Sequence, residues 1–166
     1  QALAAATSLN PDLPSIYRNQ SRLLLAKSKP AEALEKARLA YDISTSDPEN
    51  RLLLAACLRS NRRDGEALDL IEKVLKAKPN SAEAYASRAL IRMKAKDLTK
   101  AILDAEEAVA IKPHFTQMWV ILGSLYYQLK NLPKAIQALK KAHKNEPNSV
   151  THLTDLANLF REDNKI

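Results

Sequence analysis

The sequence predicts an all-α protein built from stacked pairs of antiparallel helices, and three observations support this prediction. Small residues recur at intervals of 34, at Ala33, Ala67, Ala101 and Ala135. Prolines keep the same interval, at Pro79, Pro113 and Pro147. Strong helix formers such as Ala, Leu, Lys and Glu dominate, whereas glycine occurs only twice. A fixed period of this length is typical of solenoids, in which each unit is one supersecondary element packed against its copies.

The window 116–149 predicts one such unit. Its first half predicts a helix with one buried stripe, formed by Trp119, Leu122, Tyr126 and Leu129. Gly123 lies in the same stripe, where we expect it to let a neighbouring helix approach closely. Asn131 interrupts the pattern, and Pro133 suits the first turn of a second helix. The second helix is expected to bury Ala135, Ile136, Leu139 and Ala142.

The same register divides the whole chain into repeats. We predict a single solenoid fragment over 1–166, with full repeats at 14–47, 48–81, 82–115 and 116–149. Residues 1–13 match the second helix of a preceding repeat, and residues 150–166 match the first helix of a further repeat. The third repeat departs from the fourth, because Arg88 and Arg92 occupy the positions of Leu122 and Tyr126.

Residues at equivalent positions of successive repeats form what we call a column. These columns resemble the signature of the tetratricopeptide repeat family, which has the same period. The residues that carry the resemblance are Trp119, Leu122, Gly123, Tyr126, Ala135, Ala142 and Pro147. The resemblance implies a right-handed superhelix of helix pairs, in which the first helix of each pair lines the concave side. It also implies a non-catalytic scaffold whose groove binds a peptide or helix of a partner protein.

The resemblance assigns the concave side to first-helix residues that stay out of the core between repeats. The candidate partner-binding residues are Arg18, Arg22, Leu52, Ala56, Arg59, Ala86, Leu90, Met93, Val120, Ser124, Tyr127 and Asn158. The middle of this surface is apolar, and arginines lie toward both of its ends, with Arg161 at the C-terminal end. We therefore expect an apolar peptide face to pack on the centre, with acidic groups near the arginines. In the alternative interpretation, the stripe packs against another part of the same protein.

Two specialised functions of the family do not carry over to this sequence. The resemblance implies that members which bind chaperone tails hold two carboxylates in a clamp of Lys, Asn and Arg side chains. This chain instead has Leu53, Glu83 and Ser87 at the later clamp positions. The asparagine ladder of sugar-transferase members is absent from the matching column, which reads Asn19, Leu53, Ser87, Ile121 and Asp155.

The sequence contains no pattern that predicts catalysis, a cofactor or a metal site. No two of His114, His143 and His152 have the i, i+4 spacing that places two metal ligands on one helix face. Cys57 is the single cysteine, so it forms no internal disulfide, and its apolar surroundings predict a buried, unreactive thiol. An acidic cluster, Asp104, Glu106 and Glu107, is expected to be solvated and paired with lysines.

The formal net charge of +7 is concentrated in a basic patch without interleaved aromatic residues, formed by Lys134, Lys140, Lys141 and Lys144. Such a patch predicts a solvated face and no nucleic-acid partner. No apolar run approaches the roughly 20 residues needed to cross a bilayer, so membrane insertion is not expected. The sequence leaves the cellular compartment open.

Three functional interpretations remain at this point. The first is a protein-interaction scaffold. The second is the non-catalytic arm of a larger enzyme, for instance a glycosyl- or methyltransferase. The third is end-to-end self-association through apolar surface at the two ends, around Ala4, Ala5, Leu156 and Phe160.

Overall fold

The computed structural model describes residues 13–163, and every regular element within this range is an α-helix. The helices are α1 (Leu13–Ala26), α2 (Pro30–Ile43), α3 (Pro48–Ser60), α4 (Asp64–Ala77), α5 (Ala82–Lys94), α6 (Leu98–Ile111), α7 (Thr116–Gln128), α8 (Leu132–Asn145) and α9 (Val150–Asp163). The all-α helical-repeat solenoid is therefore confirmed. The helix predicted at 1–13, with Ala4 and Ala5, lies essentially outside the described residues.

The helices group into two compact units, one ending at Pro79 and the other beginning at Asn80. In the first unit α1 packs against α2 and α3 against α4, and α2 also packs against α3. In the second unit α5 packs against α6, α7 against α8, and α9 against α8. Within each unit, the short connections make consecutive helices run antiparallel. Among the described residues, no helix is both long and apolar enough to cross a membrane.

Polar side chains fix where several helices begin. Asp47 caps α3, accepting a hydrogen bond from the Glu49 N–H at 2.8 Å. Asn131 caps α8, accepting from the Lys134 N–H at 3.2 Å, and a proline follows in the first turn. These caps satisfy N–H groups that have no partner inside the helix. The break predicted at Asn131 is thus the N-terminus of the second helix.

The turn inside each described helix pair has the same unusual backbone. Four non-glycine residues of the described chain adopt positive φ at intervals of 34, namely Ser28 (57°), Arg62 (62°), Lys96 (61°) and Lys130 (58°). In the last of these turns, the Lys130 N–H donates to the Tyr127 carbonyl and the Asn131 N–H donates to the Tyr126 carbonyl. This pair of main-chain bonds is a Schellman motif, which ends a helix and reverses the chain.

Small residues at the repeat interval form the centre of the core. Ala33, Ala67, Ala101 and Ala135 are fully buried. Gly123 is buried as predicted, and a Cβ added there would lie 2.9 Å from Leu139 Cγ. The absence of a side chain therefore sets how closely α7 approaches α8. Leu129 was predicted to be buried, but this is wrong, because it is the C-cap residue of α7 and is 48% exposed.

A buried ionic cluster replaces apolar packing in the third repeat. The Asp104 carboxylate is 3% exposed and accepts hydrogen bonds from Arg88 Nη2 at 2.8 Å and Arg92 Nη1 at 2.7 Å. Asp104 was expected to be solvated and paired with lysines, and this expectation is wrong. The expected exposure is correct for Glu106 and Glu107, which lie on the outer side of α6.

The repeat register explains why the cluster lies in the core. Arg88 and Arg92 occupy the columns of Leu122 and Tyr126, and Asp104 occupies the column of Ala138. All three of these equivalents are buried in the fourth repeat. A guanidinium can be held in such a column only when a carboxylate compensates its charge.

Cys57 is fully buried, as predicted, and its Sγ lies 3.3 Å from Ser21 Oγ. Burial raises the pKa of the Cys57 thiol, and the hydrogen bond to Ser21 partly opposes that rise. A buried thiol with a raised pKa is a poor nucleophile at neutral pH. Cys57 therefore acts as a packing residue of the first unit.

Candidate functional site

In the first unit, the predicted site residues differ in how much of their side chains a ligand could contact. The side chain of Arg18 is 17% exposed and its Nη1 lies 2.6 Å from the Asp47 carboxylate. The same nitrogen donates to Asn50 Oδ1 at 3.2 Å, and Nη2 donates to Ser15 Oγ at 3.0 Å. Arg18 thus joins α1 to the start of α3, and its guanidinium is already engaged within the chain.

Of the three predicted arginines of this unit, Arg22 is the most accessible. Its side chain is 57% exposed, and the Glu49 carboxylate with which it pairs is 3.8 Å away. Leu52, Ala56 and Arg59 are half-buried on α3. Arg59 Nε is buried and has no hydrogen-bond partner among the described residues. An acidic ligand could therefore meet Arg22 without first breaking a short ion pair.

In the second unit, the three predicted residues of α5 belong largely to the core. Ala86 is 5% exposed, whereas Leu90 and Met93 are partly buried and pack against the same hydrophobic cluster. Ala86 therefore offers almost no surface to a ligand, and Leu90 and Met93 offer part of theirs.

A groove of about 530 Å³ lies between α7 and α9, and we call it the α7–α9 groove. Its lining consists of Val120, Gly123, Ser124, Tyr127, Leu139, Asp155, Asn158, Leu159 and Arg161. Four of the twelve predicted site residues line it together, namely Val120, Ser124, Tyr127 and Asn158.

The α7–α9 groove combines one apolar wall with one polar wall. Tyr127, 44% exposed, and Val120 supply the apolar wall from α7. Asp155, Asn158 and Arg161 supply amide and charged groups from α9. A narrow groove with apolar surface and a few polar groups suits a peptide, because the side chains pack while the polar groups meet its backbone.

Five residues of the groove lining are missing from the candidate set predicted from the sequence, namely Gly123, Leu139, Asp155, Leu159 and Arg161. Leu139 reaches the groove because Gly123 has no side chain to cover it. The glycine in the first-helix stripe was the signal that could have indicated this opening. Asp155 lies one residue beyond the column of Val120 and was considered only as a member of the asparagine-ladder column.

No metal-binding chemistry emerges from the described part of the chain. Within it, no group of three or more His, Cys, Asp or Glu side chains is arranged to hold a metal ion. His152 is buried at the start of α9, and its Nδ1 has no hydrogen-bond partner among the described residues.

Comparison with known proteins agrees with this architecture. The family model described as "Tetratricopeptide repeat" matches residues 24–91 and 92–158, which is most of the chain. The chain belongs to the tetratricopeptide repeat family. The fold and family together indicate a protein–protein interaction scaffold.

Among curated proteins, the chain is similar to two organising proteins of plants. It is 26% identical to Hsp70-Hsp90 organizing protein 3 of Arabidopsis thaliana over 100 residues, which is 60% of this chain and 18% of the relative. It is 25% identical to Hsp70-Hsp90 organizing protein 1 of Glycine max, again over 60% of this chain and 18% of the relative. The chain thus spans less than a fifth of the length of these relatives.

Solved structures share the fold over almost the whole chain. Pseudomonas aeruginosa pilF superimposes with a TM-score of 0.82 at 17% identity, covering 93% of this chain and 71% of that one. A thermophilic TPR protein of Thermus thermophilus gives 0.80 at 18% identity, with coverages of 95% and 87%. MamA of Desulfovibrio magneticus RS-1 gives 0.71 at 27% identity, with coverages of 92% and 86%.

Proposed function

We propose that this chain is a non-catalytic scaffold that binds a peptide or helix of a partner protein on its first helices, with the α7–α9 groove as the main contact. The observation that carries the proposal is the convergence of Val120, Ser124, Tyr127 and Asn158 on one groove. The family resemblance, applied to the repeat register, places these four residues on the concave side of the first helices.

The chemistry of the groove favours a peptide with both apolar and polar features. An apolar side chain of the partner would pack on Val120 and the ring of Tyr127. The Asn158 amide, which donates and accepts hydrogen bonds, suits the partner's main chain. Arg161 adds a positive charge on the same wall, so an acidic residue of the partner would be favoured there.

The two plant relatives support a scaffold that organises other proteins, as their names state. The residues of this chain argue against capture of a chaperone tail by a two-carboxylate clamp. Leu53 is buried and cannot donate a hydrogen bond, and Glu83 carries the wrong charge for a carboxylate ligand. We therefore propose a different peptide as the ligand.

The test uses a double variant in one register column, Met93→Glu with Tyr127→Glu. A peptide selected from a random library on the wild-type chain would serve as the probe, with its Kd measured by fluorescence anisotropy. We expect the double variant to weaken binding by at least about tenfold, because two charges would replace apolar contact surface. The matched control is Leu103→Glu with Ile111→Glu, on exposed positions of α6, and it should retain the affinity. Equal affinities of the wild type and the Met93→Glu, Tyr127→Glu variant would refute the proposal.

Self-association is a second candidate, supported by the exposed apolar face of α9. Phe160 is 40% exposed as expected, whereas the expected exposure of Leu156 is wrong, because this side chain is buried. Val150 and Leu153 of the same helix are 73% and 48% exposed. An uncovered face of this kind favours contact with another polypeptide. We expect sedimentation velocity to detect a dimer at high concentration that Phe160→Glu abolishes. A monomer throughout the accessible range of concentrations would exclude this candidate.

The third interpretation, the non-catalytic arm of a larger enzyme, stays a proposal that depends on sequence beyond this chain.

A further inference from the structure

A second groove of the same unit lies between α6 and α8, with its floor supplied by α7. This α6–α8 groove has a volume of about 600 Å³. Val109 and Pro113 form one wall, Trp119 and Tyr126 form the floor, and Lys134 and Lys141 lie along the opposite wall. It is built largely from second helices, so it is separate from the α7–α9 groove.

The first unit contains a groove at the equivalent place, between α2 and α4, and its chemistry is different. This α2–α4 groove has a volume of about 340 Å³, and its lining residues occur 68 positions before those of the α6–α8 groove. Glu66 replaces Lys134 and Asp42 replaces Ala110, while Asp69 replaces Gln137. Three carboxylates and two cations, Arg38 and Lys73, therefore line the first groove, whereas one carboxylate and two lysines line the second. The charged groups give a formal sum of −1 in the first groove and +1 in the second.

Trp119 makes a hydrogen bond that does not require tryptophan. Its Nε1 donates to the Pro113 carbonyl at 2.8 Å. At the same register position in the first unit, Arg51 Nε donates to the Thr45 carbonyl, also at 2.8 Å. An arginine satisfies the same carbonyl, so the hydrogen bond alone does not account for the indole. Part of the indole packs against the hydrophobic core of the second unit, and part of it lines the groove floor.

The charges around the indole favour an acidic ligand. Lys134 and Lys141 are two helical turns apart on one face of α8, and Lys134 Nζ lies 5.1 Å from the Tyr126 ring centre. The carboxylate in the groove lining, Glu106, accepts a hydrogen bond from the Tyr126 hydroxyl. The pKa of Tyr126 is raised above its ordinary value because the phenol is desolvated and lies beside Glu106, so the hydroxyl keeps its proton. The Glu106 carboxylate is therefore engaged in a hydrogen bond with the Tyr126 hydroxyl.

We propose that the α6–α8 groove is a second binding site, for a partner segment in which an apolar side chain is flanked by acidic residues. The apolar side chain packs on Trp119, and the flanking carboxylates pair with Lys134 and Lys141. The site is distinct from the one proposed on the first helices, and the two could engage different segments at once.

The test exploits the fact that Trp119 is the single tryptophan of the chain. The probe is the acetylated, amidated peptide Glu-Asp-Leu-Leu-Asp-Glu, which has no aromatic residue, and the signal is tryptophan emission. We expect a saturable shift of the emission that weakens with added salt. The peptide Lys-Lys-Leu-Leu-Lys-Lys should give none. The double variant Lys134→Glu with Lys141→Glu should raise the Kd about tenfold, since two attractive contacts become repulsive.

Two control variants distinguish binding in the α6–α8 groove from a general effect of the protein's net charge. Lys140→Glu with Lys144→Glu makes the same change of net charge on α8 outside the groove lining, and it should leave the Kd essentially unchanged. Met93→Glu with Tyr127→Glu should also retain binding. Equal losses in both lysine variants, or no saturable shift, would overturn the proposal. Emission that depends on protein concentration without peptide would also overturn it, because a second copy would then occupy the groove.

Discussion

Replacing Asp104 with alanine should lower the free energy of unfolding by about 3 kcal/mol, because it leaves two partly buried guanidinium groups without a counter-charge. The side chains of Arg88 and Arg92 are 15% and 26% exposed, so water can compensate for only part of the loss. Urea unfolding followed by far-UV circular dichroism would measure the change. A loss below about 1 kcal/mol would mean that the two arginines pair with other groups in the variant, and that their stability does not depend on Asp104.

A triple variant separates the charge effect from simple loss of packing. Arg88→Leu, Arg92→Tyr and Asp104→Ala together install the residues of the fourth repeat, Leu122, Tyr126 and Ala138, in the third. We expect this variant to regain most of the stability lost by Asp104→Ala alone, because apolar replacements of a buried ionic cluster are often neutral or stabilising. A triple variant as unstable as the single one would show that the two repeats are not interchangeable at these positions.

Replacing Gly123 with valine should lower the free energy of unfolding by about 2–3 kcal/mol through overpacking. The added Cβ would lie 2.9 Å from Leu139 Cγ and 3.0 Å from Leu139 Cδ2, and the γ-methyl groups need further room. Leu139 is buried at the α7–α8 contact, so it cannot move aside freely. The same unfolding measurement in urea would determine the loss. The variant should also alter the α7–α9 groove, which both residues line.

The chain supplies its own control for this substitution. Gly65, the other glycine, lies in the first turn of α4, and an added Cβ there meets no atom within 4 Å. Gly65→Val should therefore leave the stability nearly unchanged or raise it slightly, since valine has a somewhat higher helix propensity than glycine. Equal destabilisation at both positions would point to a backbone effect of valine and not to contact with Leu139.

The sequence predicted the helix pairs because two independent periodicities agree. The 34-residue interval located the repeats, and the helical spacing within each repeat identified buried residues such as Ile136 and Ala142. The error at Leu129 arose at a helix end, where the α7 C-cap leaves the stripe and turns toward solvent. Periodicity describes the inside of a helix well, but it does not include the geometry of its termini.

The error at Asp104 has another cause. An aspartate close to two glutamates is expected to be exposed to solvent when composition alone is considered. Its repeat position, shared with Leu70 and Ala138, instead predicts a buried side chain. The column was the better guide, because the two arginines opposite supply the missing charge. For the candidate site, the resemblance selected three residues of α7 and one of α9 that line the α7–α9 groove, and their role in binding stays a prediction. It could not indicate that Ala86 is covered or that Arg18 is already paired, since both depend on neighbouring helices.

The four turns with positive φ have a consequence for how this protein can change. The hydrogen bonds made by the four positive-φ residues themselves join main-chain atoms, and the side chains of Ser28, Arg62, Lys96 and Lys130 are exposed. The fold thus requires a backbone shape at these places but no particular functional group. Three of the four positions carry a positive charge, so substitution here could alter the net charge of the molecule without changing the lining of any of the three grooves.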